Sequence, residues 1–289
     1  MTTLPAATAR LAGPAEVVSD LGWPGTTATV LLLRRPSGQH LVLKGNSSAD
    51  CYARELHALR TWAPALDGAA PQLVDADEDH GLLLMTALPG TPFDEAGLTP
   101  DQTREAYWQA GALLRRLHQA GPAGTLATFG VDRAAYLHTQ LSGATDPLTR
   151  EELAFALAAL DQLRALPPQP SQPSHLDLTA RNLLAHTDET GALRVGLIDF
   201  ETSRYEAAGR DFLRVTQRTL RTRADLADAF YRGYGRAPTA PERHLMHWCG
   251  IGDAAAIAVS AKASGHEEFS REAHAHLRAA MDLPGPPLI

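Results

Sequence analysis

The sequence has little cysteine, almost no lysine, and no long apolar run. Cys51 and Cys249 are the only cysteines in 289 residues, and no C-x-x-C pair occurs. That excludes a disulfide framework, a structural zinc site and a dithiol redox centre, and both thiols are expected in the core. No stretch approaches the roughly 18 consecutive apolar residues of a membrane span. The N-terminus MTTLPAATAR lacks the basic-then-apolar order of an export signal, so a cytoplasmic location is expected. Positive charge is also short: 33 acidic against 26 basic residues leave a net charge of −7. This is the wrong balance for a general nucleic-acid binder, whose affinity rests on neutralising phosphates. What is present is 44% hydrophobic content with 20% charged residues. That excludes disorder and suits one large or two modest domains with a small-molecule partner, no nucleic acid and no membrane.

The shortage of lysine is the sharpest of these features. Of the 26 basic residues 24 are Arg, and only Lys44 and Lys262 are Lys. A chain that uses guanidinium almost everywhere and keeps an ammonium at one place points to a role for a compact charge on a thin stem.

The first ninety residues read as strands with one helix inserted. Thr26 to Arg34 and His40 to Lys44 are β-rich runs joined by Pro36-Ser37-Gly38, the pattern of an antiparallel hairpin with Lys44 at the end of its second strand. From Ala49 to about Trp62 the spacing of Tyr52, Leu56 and Leu59 is helical, with Ser47 or Ser48 as N-cap and Glu55 in the middle. Gln72 to Val74 and Leu82 to Ala87 suit two more strands, and Leu88-Pro89-Gly90-Thr91-Pro92 then breaks the pattern. Helices are expected over Thr99 to Gln119, Arg150 to Leu166 and most of Asp211 to Asp282, with PPQPSQPS as a breaker. Asn182 to Ala185 and Leu193 to Phe200 suit a hairpin. The division expected is an N-terminal lobe over 1–87, a hinge over 88–92 and a C-terminal lobe over 93–289.

Between Pro173 and Phe200 lies the constellation that carries chemistry. His175-Leu176-Asp177, then Asn182, then Ile198-Asp199-Phe200 give H-x-D-x-x-x-x-N followed by a second Asp at a strand end. Phosphoryl transfer needs such a kit: one Asp to orient or deprotonate a hydroxyl, and an Asn with an Asp to hold magnesium against nucleotide phosphates. Taken alone, the loop is also compatible with a capped turn, since Asp and Asn bond their own backbone in loops. Kinase-type chemistry further requires a strand Lys and a helix Glu that holds it, and Lys44 and Glu55 occur in that order. The plainer readings are a solvated strand-end charge for Lys44 and a pair with a neighbouring helix Arg for Glu55.

These residues, with Leu84-Met85-Thr86 to Pro89-Gly90, resemble the aminoglycoside phosphotransferase and choline kinase-like family of small-molecule kinases, over about Thr26 to Leu213. Leu113 to His118 and Arg210-Asp211-Phe212-Leu213 are similar to two further segments of that family. The resemblance implies an α+β, two-lobed protein kinase-like fold, with a small antiparallel-sheet N-lobe and a larger, mainly helical C-lobe. It implies Asp177 as catalytic base with His175 and Arg181 in the catalytic loop, and Asn182 and Asp199 as Mg2+ ligands. Lys44 would be the phosphate contact, Glu55 its anchor, and Asp211 a brace of the loop. Thr86, Ala87 and Leu88 would be the hinge that reads a purine of ATP or GTP, and Thr26 would lie by the phosphates. The family's glycine-rich loop is replaced here by Leu21-Gly22-Trp23-Pro24-Gly25-Thr26-Thr27, which argues against a protein kinase. Arg181 leaves two readings open, a contact to substrate or phosphate and an ion pair within the lobe.

The implied reaction is transfer of the γ-phosphoryl group of a nucleoside triphosphate to a hydroxyl of an antibiotic, conferring resistance by inactivation. An aminoglycoside leads, with cyclic-peptide or nucleoside antibiotics as other acceptors. A metabolic kinase for a choline-like or sugar-like substrate and a non-catalytic nucleotide-binding regulator are the alternatives. Acidity is spread rather than focused: residues 1–91 carry 9 acidic and 6 basic side chains, residues 92–289 carry 24 and 20. Glu201, Glu206, Asp253, Glu267 and Glu268 are the candidate contacts for a substrate amine. A monomer or weak homodimer is expected.

Overall fold

The computed structural model describes residues 10–22, 28–142 and 147–282. Its N-terminal part is one five-stranded antiparallel sheet: β1 (Glu16–Asp20), β2 (Thr29–Arg34), β3 (His40–Gly45), β4 (Leu73–Asp77) and β5 (Leu82–Thr86), in the order β1-β2-β3-β5-β4. The β2–β3 hairpin turns where Pro36-Ser37-Gly38 predicted, and Gly38 takes a positive φ of 85° to close it. Within β3, Leu41 and Leu43 face a core with Leu33 and Leu84. Successive strand side chains alternate, so Lys44 points from the opposite face.

Helix α1 (Ala49–Thr61) follows β3, and Ser48 caps it by accepting the Cys51 N–H. Tyr52, Glu55, Leu56 and Leu59 are buried, the i, i+3, i+4, i+7 stripe of a helix face. The sequence therefore places a carboxylate in an otherwise apolar stripe, and a buried carboxylate requires a partner.

Two compact units divide the chain. The first comprises residues 1–122, 172–205 and 218–237, the second 123–171, 206–217 and 238–289. The segment 88–92 falls inside the first. There, β6 (Thr91–Pro92) pairs with Leu183–Thr187, which forms a hairpin with Leu193–Leu197. Gly90 precedes β6 at φ 121°, where a Cβ would meet the Ala185 backbone, so both conformation and space require glycine.

Helix α2 (Pro100–His118) opens with Pro100 behind a Thr99/Gln102 capping box. It packs on the helix Ala224–Tyr234 through two glycines. A Cβ on Gly111 would strike the Phe230 carbonyl, and one on Gly233 the Trp108 carbonyl. Gly111→Ala is expected to destabilise the protein by ~2 kcal/mol. The helix-propensity gain of about 1 kcal/mol is outweighed by about 3 kcal/mol of overpacking against rigid backbone. A fall in thermal midpoint for Gly111→Ala, clearly larger than the fall of about 1 kcal/mol that the exposed helix substitution Ala53→Gly causes through propensity alone, checks this.

The second unit is mainly helical: Phe129–Ser142, Arg150–Arg164, Ala208–Arg218, Ala240–Ala263 and Glu267–Met281. Three expectations change. PPQPSQPS follows a helix that ends at Arg164, as expected of a breaker, but the segment itself is not irregular throughout: Gln169–Ser174 is a strand with Pro170 opposite Thr125, and the fixed φ of proline is compatible with extended chain. Phe129–Ser142 and β1 were not anticipated. Cys249 is buried as expected, whereas Cys51 is only half-buried.

At the centre of this unit Asp253 bonds both Arg133 and Arg210. Burial pushes the Asp253 carboxyl up, and the two guanidiniums outweigh it and hold it below the usual carboxylate range. Burial pushes the neighbouring Cys249 thiol up to about 12. A carboxylate depressed in the folded state stabilises above its unfolded value of about 4, and that contribution is lost as pH falls through the folded value. Asp253→Asn is therefore expected to cost about 3 kcal/mol at neutral pH. The deficit should shrink in acid, as followed by urea melts at several pH values.

Candidate active site

Two clusters form in the first unit and share one hairpin. In the first, Lys44 Nζ lies 2.6 Å from Asp199 Oδ1, 2.9 Å from Glu55 Oε2 and 3.0 Å from Glu201 Oε2. Lys44 is 6% exposed, and its ammonium is caged by three carboxylates. Burial pushes Lys44 down, but Glu55, Asp199 and Glu201 together overcome it and raise the ammonium well above its ordinary value. Burial pushes the Glu55 carboxyl up, against the pull of Lys44. Asn46 Nδ2 donates to Glu55 Oε2 at 2.6 Å.

The second cluster is the loop between Gln169–Ser174 and Leu183–Thr187. Asn182 Nδ2 donates to the Asp177 carbonyl and to Asp177 Oδ2, both at 2.9 Å, and Arg181 donates to the same Oδ2 at 2.9 Å. His175 wires the loop to the following strand. Its Nε2 lies 3.0 Å from the Ile198 carbonyl and its Nδ1 lies 3.3 Å from the Asp177 amide. A carbonyl only accepts and an amide N–H only donates, so these bonds assign the proton to Nε2. The imidazole thus acts on backbone, a positioning role. Thr202 Oγ1 donates to the His175 carbonyl, and the Ile198 N–H to the Asn182 carbonyl. Leu176 and Asp199 have φ of 67° and 69°, a region costly for residues with a Cβ. The surrounding bonds hold that strain where Asp177 and Asp199 are presented.

The structure thus gathers Lys44, Glu55, Asp199 and Glu201, and beside them His175, Asp177, Arg181 and Asn182. Glu201, expected to face a substrate amine, is engaged by Lys44. Arg181 makes an ion pair with Asp177. Of the hinge residues, the Thr86 N–H donates to the Gln72 carbonyl and the Ala87 N–H to the His40 carbonyl. Thr26 and most of the segment replacing the glycine-rich loop lie outside the described residues. The other candidates belong to the second unit. Asp253 is taken up by two arginines, Glu206 and Asp211 are buried, and Glu267 and Glu268 are exposed in the first turn of Glu267–Met281, where they complement the helix dipole. Sequence reasoning missed Asn46, although the i, i+2 relation to Lys44 puts both on one face of an extended chain.

Glu55, Asp199 and Glu201 each offer an oxygen within 4.8 Å of the others. The Lys44 ammonium sits among all three, so the trio as it stands is its cage; Asp199 and Glu201, the more exposed two, are hard oxygen donors of the kind Mg2+ takes.

Solved structures match over nearly the whole chain. A thermostable mutant of aminoglycoside phosphotransferase APH(4)-Ia superposes with a TM-score of 0.72 at 16% identity, covering 94% of this chain and 96% of that one. The same enzyme is known as a ternary complex with ADP and hygromycin B (TM-score 0.70, 16% identity, 93% and 94% covered). A choline/ethanolamine kinase family protein from Mesorhizobium loti gives 0.65 at 19% identity, covering 97% and 92%. Macrolide 2'-phosphotransferase MphH from Brachybacterium faecium gives 0.58 at 20% identity, covering 98% and 96%. These likenesses carry the α+β kinase-like fold. No curated protein matches the chain. Residues 24–248 match the family model of the phosphotransferase enzymes, APH, and over that span the chain belongs to the phosphotransferase enzyme family.

Proposed function

We propose that this phosphotransferase moves the γ-phosphoryl group of ATP or GTP to a hydroxyl of an antibiotic, with an aminoglycoside as the leading acceptor. The observation that carries the reading is the pairing of the Asp177 loop with the caged Lys44 through a single hairpin. The acceptor oxygen attacks the γ-phosphorus, its proton passes to the Asp177 carboxylate, and the bond from phosphorus to the β-phosphate bridging oxygen breaks to release the nucleoside diphosphate. Arg181 and Asn182 hold the Asp177 carboxylate in place for that proton. Lys44 meets the nucleotide phosphates, and Glu55 keeps it aimed. Asp199 and Asn182 would hold Mg2+, which neutralises charge on the phosphates when bound. In the hinge, two of three amides serve the sheet. Among the described residues no hydrogen bond claims the Leu88 N–H, which suits it to a purine edge.

The aminoglycoside assignment draws on the likeness to the enzyme crystallised with hygromycin B. The likeness to a choline/ethanolamine kinase family protein supports a second reading, an amino-alcohol acceptor. Both readings use the same catalytic residues. Mass spectrometry of aminoglycosides, macrolides, nucleoside and peptide antibiotics, choline and ethanolamine, each incubated with enzyme, magnesium and ATP or GTP, separates them. Gain of one phosphoryl group by an antibiotic is the expected result. Transfer to the amino alcohols alone would replace the first reading by the second, and no transfer to any acceptor would overturn both.

A further inference from the structure

An ammonium carries three N–H donors. Three carboxylate oxygens, from Glu55, Asp199 and Glu201, stand within 3.0 Å of Lys44 Nζ, one for each donor. No N–H of Lys44 is left over for a phosphate, so the cation meets a nucleotide only if one of the three carboxylates gives up its place.

Two of the three are held. The Glu55 side chain is 2% exposed, and Asn46 Nδ2 donates at 2.6 Å to the same Oε2 that Lys44 touches. Its departure would bury a charge without a cation. Asp199 makes the shortest contact, 2.6 Å, from a short side chain rooted at a φ of 69°. Glu201 is about as exposed as Asp199, 27% against 30%, so access to water does not choose between them. Reach and freedom do. The Glu201 contact is the longest of the three at 3.0 Å, its side chain has one more rotatable bond than aspartate, and among the described residues Lys44 is the only basic side chain within 4.0 Å of its carboxylate. The backbone around it is fixed: the Ser203 N–H donates to the carbonyl of the fully buried Phe200, and Thr202 Oγ1 donates to the His175 carbonyl. Rotation of one side chain therefore carries the Glu201 carboxylate off Lys44 and into water without moving the turn.

We propose, on the reading of the protein as a nucleotide-dependent phosphotransferase, that Glu201 is a positioning residue that holds the place of a phosphate on Lys44 and yields it when a nucleotide arrives. Binding is then an exchange of one anion for another at a buried cation. Run backwards, the same exchange eases departure of the nucleoside diphosphate, because Glu201 restores the third contact as the phosphate leaves.

Calorimetric titration of the full chain with ADP and with adenosine tests this, in EDTA so that Lys44 and not a metal meets the phosphates. Glu201→Gln replaces the carboxylate by a neutral amide, a weaker acceptor for an ammonium. Glu201→Asp keeps the charge and shortens the side chain by one methylene, which takes it out of reach of Nζ. Both variants are expected to bind ADP about fivefold more tightly than the unaltered chain. Adenosine affinity should stay within about twofold, since adenosine has no phosphate to compete with Glu201. A carboxylate acting through its charge alone would make Glu201→Gln tighter and leave Glu201→Asp unchanged, and that pattern would overturn the proposal. So would ADP binding that is no tighter in either variant, or an equal gain for adenosine. Thermal melts check that each variant folds, and should Glu201→Gln fail to fold, Glu201→Asp decides. An unaltered chain that binds ADP neither with magnesium nor without it would sink the phosphotransferase reading as well, whereas one that binds ADP with magnesium, beside variants no tighter in EDTA, would sink this inference alone.

Discussion

Asp177→Asn is expected to lower turnover by about 10³-fold while nucleotide affinity stays within about twofold. The substitution keeps the shape of the side chain, so the Asn182 amide retains the backbone carbonyl at Asp177 and loses only its carboxylate contact. What disappears is the carboxylate proposed to take the proton of the attacking hydroxyl. The Lys44 cluster remains, because none of its three carboxylates is Asp177. A fall in kcat with unchanged binding of a non-hydrolysable nucleotide, measured by fluorescence or calorimetry, is the result that fits. Full turnover in a folded Asp177→Asn enzyme would remove the proposed base. Arg181→Ala makes a useful companion. It deletes an ion pair to Asp177 from a side chain that is 40% exposed, so a smaller loss of turnover and little loss of stability are expected.

Lys44→Met should have the largest effect on stability. It leaves Glu55, Asp199 and Glu201 converging on an apolar tip, and Glu55 is 1% exposed. Breaking a buried charge cluster by removing one partner costs about 3–5 kcal/mol, because the remaining charges stay desolvated. Nucleotide-dependent activity should fall by about 10² or more as the phosphates lose their cation. A second change separates these two losses. Glu55→Gln in the Lys44→Met background removes one buried charge and is expected to recover part of the thermal midpoint without recovering activity. Lys44→Arg is not expected to rescue. A planar guanidinium is larger than the ammonium and presents its donors in a fork, whereas three separate carboxylates approach Nζ at 2.6 to 3.0 Å. A chain that places Arg at 24 of 26 basic positions thus keeps Lys where the cage has room for one nitrogen.

Much of the site was legible in the sequence, and for identifiable reasons. Lys44 follows a strand whose alternation fixes its face, Glu55 falls on a helical stripe, and His175, Asp177, Asn182 and Asp199 have spacing set by one loop and one hairpin. Each is a local rule acting on neighbours in sequence. The residues that escaped depend on contacts between distant segments. Glu201 looked like an open acid because nothing local says that its oxygen reaches a lysine on another strand. Asp253 looked available until Arg133 and Arg210 closed on it. Phe129–Ser142 escaped because part of its packing is made by Gly130 against the Leu163 carbonyl, a contact without an apolar side chain to count. β1 escaped because it is five residues long, bulged between Val17 and Ser19, and at the edge of its sheet.

The 155-residue separation between Lys44 and Asp199 also bears on how the molecule is made. Both belong to a unit assembled from three stretches of chain, the last ending near residue 237. During synthesis the sheet strands and Glu55 emerge long before the carboxylates of Asp199 and Glu201 exist, so early in its life Lys44 has one of its three partners. Loop closure over such distances is slow. Folding intermediates that have made the sheet but not the hairpin carry an unfinished charge cage, and they are the species most exposed to aggregation or to capture by chaperones.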